Sequence, residues 1–100
     1  MNRKINKVAI LGSGVMGSGI ACHFANIGVE VILLDLIPKK NNGEINDINY
    51  RNSIVNDNLQ KSINSKPSPL YDKKFLSRIS TGNFMDDFSK ISKADWIIEV

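Results

Sequence analysis

The sequence predicts an α/β fold in which helices cover a parallel sheet, and three observations carry that prediction. Residues 7 to 11, KVAIL, are a short apolar run followed at once by a glycine, the pattern of a strand buried on both faces. After Gly14 the period changes. Ile20, Phe24 and Ile27 recur at helical spacing with Ala21 and Ala25 beside them, and Gly28 stands where a helix C-terminus is capped. Residues 29 to 36, VEVILLDL, are a second run rich in β-branched residues and closed by an acid, Asp35. Strand, helix and strand in such quick succession make a βαβ unit, which requires a parallel pair and a right-handed crossover.

The remaining elements follow in order. Pro38 to Glu44, PKKNNGE, reads as a polar connection dense in turn residues. Ile48, Val55, Leu59 and Ile63 then recur at intervals of four and seven, predicting one amphipathic helix from about residue 46 to 64. The two prolines of SKPSPLYDKK, residues 65 to 74, force an irregular start, after which Asp72 can cap a short helix through Phe75 and Leu76. RISTG, residues 78 to 82, is a third short strand, MDDFSKISK a helical turn, and ADWIIEV a fourth strand. Trp96 and the apolar positions around it are expected in the core, as is Cys22, while His23 is expected packed or half-exposed on the first helix. The sequence stops in an apolar strand with no helix after it. Residues 1–100 are therefore expected to be the N-terminal part of a domain that continues, with an exposed fourth strand able to pair with a second copy in a homo-oligomer.

Composition narrows the function classes. Hydrophobic residues make up 42% and charged residues 23%, an ordinary globular balance rather than a disordered one. The net charge of +3 is small and scattered, so it supports no nucleic-acid partner and only a mild attraction for anions. A single cysteine forms no intrachain disulfide, and no His/Cys cluster has metal-ligand spacing. That cysteine usage makes a cytoplasmic location the expectation, and the first apolar run is too short for a signal-peptide core or a membrane span, so no membrane partner is expected.

Between the first strand and the first helix, Gly12, Gly14 and Gly17 match G-x-G-x-x-G. Gly12 lets the chain turn sharply off the strand, Gly14 lets backbone approach a pyrophosphate with no Cβ in the way, and Gly17 lets the helix pack closely. The helix start presents unpaired N–H groups and a partial positive charge, an attraction for an anion of about 0.3–1 kcal/mol. Val15 and Met16 are expected to bond the phosphates through their backbones, and Ser13 to add its hydroxyl. Asp35, at the carboxyl end of the second strand, is placed to accept hydrogen bonds from the adenosine ribose hydroxyls, at about 1.5–3 kcal/mol for a charged acceptor. The same carboxylate repels a 2′-phosphate, so the expected cofactor is NAD rather than NADP; Lys39 and Lys40 would oppose that choice only by folding back past Pro38. The predicted fold is thus a Rossmann-type doubly wound parallel sheet, represented by its N-terminal portion of about four strands in the order 3-2-1-4. The lysines between residues 61 and 74 read as a solvated face.

Two stretches, KVAILGSGVMGSGIACHFANIGVEVILLDL and ADWIIEV, resemble the NAD-binding domain of the 3-hydroxyacyl-CoA dehydrogenases of fatty-acid β-oxidation. The intervening RNSIVNDNLQKSINSKPSPLYDKKFLSRISTGNF is similar to a bacterial branch in which the dehydrogenase is carried on a larger polypeptide, often fused to an enoyl-CoA hydratase-like region. The resemblance implies oxidation of an L-3-hydroxyacyl-CoA to the 3-ketoacyl-CoA, with hydride passing from C3 to the nicotinamide and a His/Glu pair taking the hydroxyl proton. It also implies that this pair and a C-terminal helical domain lie beyond Val100, so no catalytic residue is assigned within the chain. By position, Glu99 and Val100 would border the cofactor, and Lys61 and Lys66 are the remaining candidates for contact with an acyl-CoA. One alternative is a β-hydroxyacid dehydrogenase of the 3-hydroxyisobutyrate type, which shares GVMG but commonly ends the second strand with Asn-Arg where this chain has Asp35-Leu36. The other is a non-enzymatic NAD-sensing domain, although no helix carries the basic face of a DNA-binding sensor.

Overall fold

The computed structural model describes residues 5–38 and 47–100. Its strands are β1 (Lys7–Leu11), β2 (Glu30–Asp35), β3 (Ile79–Asn83) and β4 (Trp96–Glu99), all parallel in one sheet of order β3-β2-β1-β4. Helix α1 (Val15–Asn26) joins β1 to β2. Helices α2 (Ile48–Arg51) and α3 (Ser53–Ile63), followed by a 3₁₀ segment at Lys73–Arg78, lead from β2 to β3; α4 (Phe84–Asp87) and a 3₁₀ segment at Phe88–Lys93 lead on to β4. Register aligns Leu11 with Leu34 and with Glu99, and Asp35 with Asn83, so the carboxyl ends of β1, β2 and β4 finish level with one another.

Alternation along β1 and β2 divides the interior into two layers. Val8, Ile10, Val31 and Leu33 face Ala21, Cys22 and Ala25 of α1 and Val55 and Leu59 of α3, while Ala9, Ile32 and Leu34 face Phe84, Ile91 and Ala94 on the other side. Both strands are apolar throughout because both faces are covered. Burying each of these Val, Ile or Leu side chains contributes about 1.5–3 kcal/mol. Burial also pushes the Cys22 thiol above its ordinary pKa, so it stays neutral within the core. Helix α1 ends as the sequence predicts: Gly28 takes φ +91°, its N–H donates to the Ala25 carbonyl and Val29 N–H to that of Phe24.

Several expectations need correction. The single helix at residues 46–64 is two: Asn52, at φ −101° and ψ 13°, bends the chain between α2 and α3, and its Oδ1 accepts from Asn83 Nδ2 at 2.8 Å. Ile48 thereby leaves the buried stripe of Val55 and Leu59 and is 53% exposed. Trp96 and Ile97 are 50% and 45% exposed rather than core, because β4 is an outer strand of the described sheet; the Trp96 ring makes a T-shaped contact with Phe24, with centroids 6.1 Å apart. Ile27 is exposed because it lies past the last helical residue, where the chain has already turned toward Gly28. Elsewhere Asp72 caps its 3₁₀ segment as expected, accepting from Lys74 N–H at 3.0 Å, whereas His23 is exposed rather than packed or half-exposed, its ring in T-shaped contact with Phe24. Most of the connection at Pro38 to Glu44, Lys39 and Lys40 included, lies outside the described residues.

Candidate dinucleotide-binding site

The three motif glycines meet three different local demands at the carboxyl end of β1. Gly12 turns the chain at φ +114°, a backbone conformation open to glycine, while its N–H donates to the Leu34 carbonyl at 2.8 Å. Val100 closes over it, with Val100 N–H donating to the Leu11 carbonyl at 3.2 Å; a Cβ at Gly12 would stand 3.0 Å from Val100 Cγ2. Gly17 sits against the turn itself. A Cβ there would stand 1.9 Å from the Gly12 carbonyl oxygen, so the helix start and the strand end touch backbone to backbone. At Gly14 nothing lies within 4 Å of the place a Cβ would take.

Gly14 is also the residue that opens α1, with no side chain capping the helix. The N–H groups of Val15, Met16 and Gly17 therefore belong to the first turn and have no carbonyl of their own helix to meet. The side chains of Val15 and Met16 are 87% and 69% exposed, which leaves their identity unconstrained by packing. Open space at Gly14, beside these donors and the positive helix end, leaves room for an anion such as a pyrophosphate.

Ser13 and Asp35 are in direct contact. The Ser13 N–H and hydroxyl both donate to Asp35 Oδ2, at 2.8 and 2.5 Å, while Leu36 N–H donates to Oδ1 at 2.7 Å. Ser13 is fully buried, so its hydroxyl serves the carboxylate in place of the phosphate contact expected from the sequence. Two partners come from elsewhere in the fold: Asn58 Nδ2 of α3 donates to Ser13 Oγ at 3.0 Å, and the Ser18 hydroxyl donates to the Ser13 carbonyl at 2.5 Å. Beyond Asp35 a cleft of about 390 Å³ opens, lined by Gly12, Asp35, Leu36, Phe84, Phe88 and Val100. Its lining combines carboxylates, Asp35 and Glu99, and turn backbone with apolar and aromatic side chains, a mixture that suits a ribose joined to a flat base.

The structure brings Gly12, Ser13, Gly14, Val15, Met16, Gly17 and Asp35 together at one end of the sheet, with Glu99 and Val100 on the cleft wall. Lys61 and Lys66 are exposed, as expected for residues 61 to 74, and neither lines the cleft. Sequence reasoning missed Asn58, Phe84 and Phe88. Asn58 had a signal, a polar residue three positions after Val55 and one before Leu59, at the margin of the buried stripe of α3. A second groove, of about 290 Å³, runs by Lys7, Glu30, Asp87, Lys90 and Lys93, but Glu30 pairs with Lys7 at 3.7 Å and Asp87 with Lys90 at 2.8 Å. Among the described residues no group of three or more His, Cys, Asp or Glu is placed to hold a metal ion, and no helix is long and apolar enough to cross a membrane.

Comparison with known proteins decides which dinucleotide fold this is. Residues 7–100 match the family model described as 3-hydroxyacyl-CoA dehydrogenase, NAD binding domain. The chain belongs to that family. Its cofactor is accordingly NAD, and the 3-hydroxyacyl-CoA dehydrogenases are oxidoreductases. The "Probable 3-hydroxyacyl-CoA dehydrogenase" of Bacillus subtilis is 45% identical over 100% of this chain, which covers 14% of that protein. Its namesake in Deinococcus radiodurans is 33% identical over 96% of the chain, which covers 26% of that protein. A Rickettsia felis protein named as a fatty acid oxidation complex trifunctional enzyme is 40% identical over 100% of the chain and 13% of its own length. The chain thus corresponds to a minor share of these relatives, their N-terminal dehydrogenase part as far as the family is concerned. Among solved structures, (S)-3-hydroxybutyryl-CoA dehydrogenase from Ralstonia eutropha superposes with a TM-score of 0.56 at 23% identity, over 97% of this chain and 31% of that one, and shares the fold.

Proposed function

We propose that the chain is the cofactor-holding portion of an L-3-hydroxyacyl-CoA dehydrogenase, binding the NAD pyrophosphate at Gly12 to Gly17 and the adenosine ribose at Asp35. The observation that carries this reading is the open approach at Gly14, at the start of α1, with Asp35 tied to the same turn through Ser13. The NAD held there would supply the hydride acceptor for oxidation at C3 of the hydroxyacyl substrate. The chain's residues hold it in place: first-turn N–H groups meet the phosphates, Asp35 meets a ribose hydroxyl, and the aromatic side of the cleft, Phe84 and Phe88, meets the base. Backbone donors need no side-chain identity, which fits the exposed Val15 and Met16. An acyl-CoA substrate, a cytoplasmic location and a homo-oligomer belong to the same proposal.

Titration calorimetry with NAD and NADP tests it. Asp35 stands where a 2′-phosphate would bring a second negative charge, so NAD is expected to bind at least about tenfold more tightly, the difference made by one charge-assisted hydrogen bond. Equal affinities, or a preference for NADP, would overturn the assignment of Asp35.

A further inference from the structure

We propose that Asn58 of α3 is a positioning residue for recognition of the adenosine ribose, acting on Asp35 through the Ser13 hydroxyl. The inference rests on the cofactor reading above and adds a residue from a helix outside the glycine motif. Its physical basis is the polarity of a three-member chain. An ionised carboxylate only accepts, so in the contact between Ser13 Oγ and Asp35 Oδ2 at 2.5 Å the hydroxyl must give its single proton to Asp35. Having given that proton, Oγ can take only a donor as its next partner, and Asn58 Nδ2 at 3.0 Å is one. The order Asn58 to Ser13 to Asp35 is therefore fixed in direction, and nothing in it can turn round.

The consequence falls on the carboxylate. Oδ2 receives two donors from Ser13 and Oδ1 one from Leu36, filling three of about four acceptor positions on the group. Among the described residues one acceptor position, on Oδ1, has no partner, and Asp35 is half-buried on the lining of the cleft. Asp35 is thus set to accept from one ribose hydroxyl, in one orientation. Removing the Asn58 amide leaves the two backbone donors on Asp35 but takes away the partner that holds Ser13 Oγ from behind, so the hydroxyl, and with it the carboxylate, is less firmly aimed. Ser13 is fully buried and Asn58 half-buried, so water is poorly placed to substitute for the lost donor.

The test compares NAD with its analogue carrying 2′-deoxyadenosine, by calorimetry on the parent chain and on Asn58→Ala. In the parent, the analogue is expected to bind about tenfold more weakly, the range of a hydrogen bond to a charged group. In Asn58→Ala this ratio falls to about twofold or less, while affinity for the deoxy analogue changes little. General loosening of the fold would weaken both ligands alike and leave the ratio standing. A parent chain with no preference for NAD over the deoxy analogue removes the underlying ribose assignment. A parent that prefers NAD, with Asn58→Ala preferring it equally, overturns the role of Asn58 and leaves the cofactor site intact. Ser13→Ala, alone and with Asn58→Ala, gives an independent reading. Asn58→Ala should have no further effect on the ratio once the hydroxyl is gone; the same loss in both backgrounds also overturns the proposal.

Discussion

Gly14 and Gly17 are three residues apart in one turn, and a methyl group has opposite consequences at each. At Gly14 a Cβ meets open space, and the backbone already has φ −58°, which alanine adopts freely. Gly14→Ala should fold with a stability cost below about 1 kcal/mol, that of a poorer helix cap, yet bind NAD about tenfold or more weakly because the methyl occupies the phosphate approach. At Gly17 the same methyl would stand 1.9 Å from the Gly12 carbonyl, so Gly17→Ala should cost about 1–3 kcal/mol or more through overpacking. Thermal unfolding and NAD titration of the two variants separate the effects; similar melting temperatures for both would contradict the backbone contact. The spacing of these glycines was legible in the sequence because each has a backbone role set by chain geometry. The partner of Ser13 was not. A serine at that position can face phosphate or carboxylate, and only the register that carries Asp35 beside it selects the second.

At the scale of elements, the α2–α3 bend is fastened to the end of β3 by a polar cluster. Arg51 pairs with Asp86 through Nε at 2.8 Å and Nη2 at 2.9 Å, joining α2 to α4, while buried Asn83 bridges Asn52 Oδ1 and Asp86 Oδ2 and caps α4 by accepting from Met85 and Asp86 N–H. Hydrogen bonds from Arg51 first, then from Asn83, lower the Asp86 pKa from its ordinary 3.8 to about 2. A carboxylate with a depressed folded pKa adds stability that is complete above its unfolded value and is lost as pH falls through the folded one. Denaturant unfolding of the parent and Asp86→Asn should therefore show the parent ahead above about pH 5, with the gap closing between roughly pH 4 and 2. A gap unchanged across that range would mean the pairing adds nothing. This cluster also explains why one long helix was expected where two occur. Hydrophobic periodicity registers which side chains face the core, and Val55 and Leu59 do; it carries no trace of an Asn52 side chain held by Asn83, more than thirty residues later. Trp96 was misjudged for a related reason, since an apolar strand reads alike at the centre and at the edge of a sheet.

For the whole molecule, strand order was legible because a βαβ unit leaves few ways to lay down a parallel sheet, and order in turn places the groups that can bind. Asp35, the glycine turn and Val100 gather at the carboxyl ends of β2, β1 and β4. The distribution of proton-accepting groups is different. Taking a hydroxyl proton during hydride transfer calls for a base poised near neutral pH, most often a histidine. The chain has one, His23, exposed in the second half of α1, eight residues beyond Val15 and so about 12 Å along the helix axis from the turn that would hold the phosphates. Asp35 is occupied by Ser13 and Leu36 and lines the cleft proposed for the cofactor. On the proposed cofactor reading, the chain alone is expected to hold NADH without performing the transfer. NADH fluorescence should change on binding, whereas mixing the chain with NADH and acetoacetyl-CoA should leave the nicotinamide absorbance constant. Turnover near the ordinary enzymatic range, about 1 s⁻¹ or faster, would place a catalytic base among these residues after all, and His23→Gln would then show whether it is the histidine.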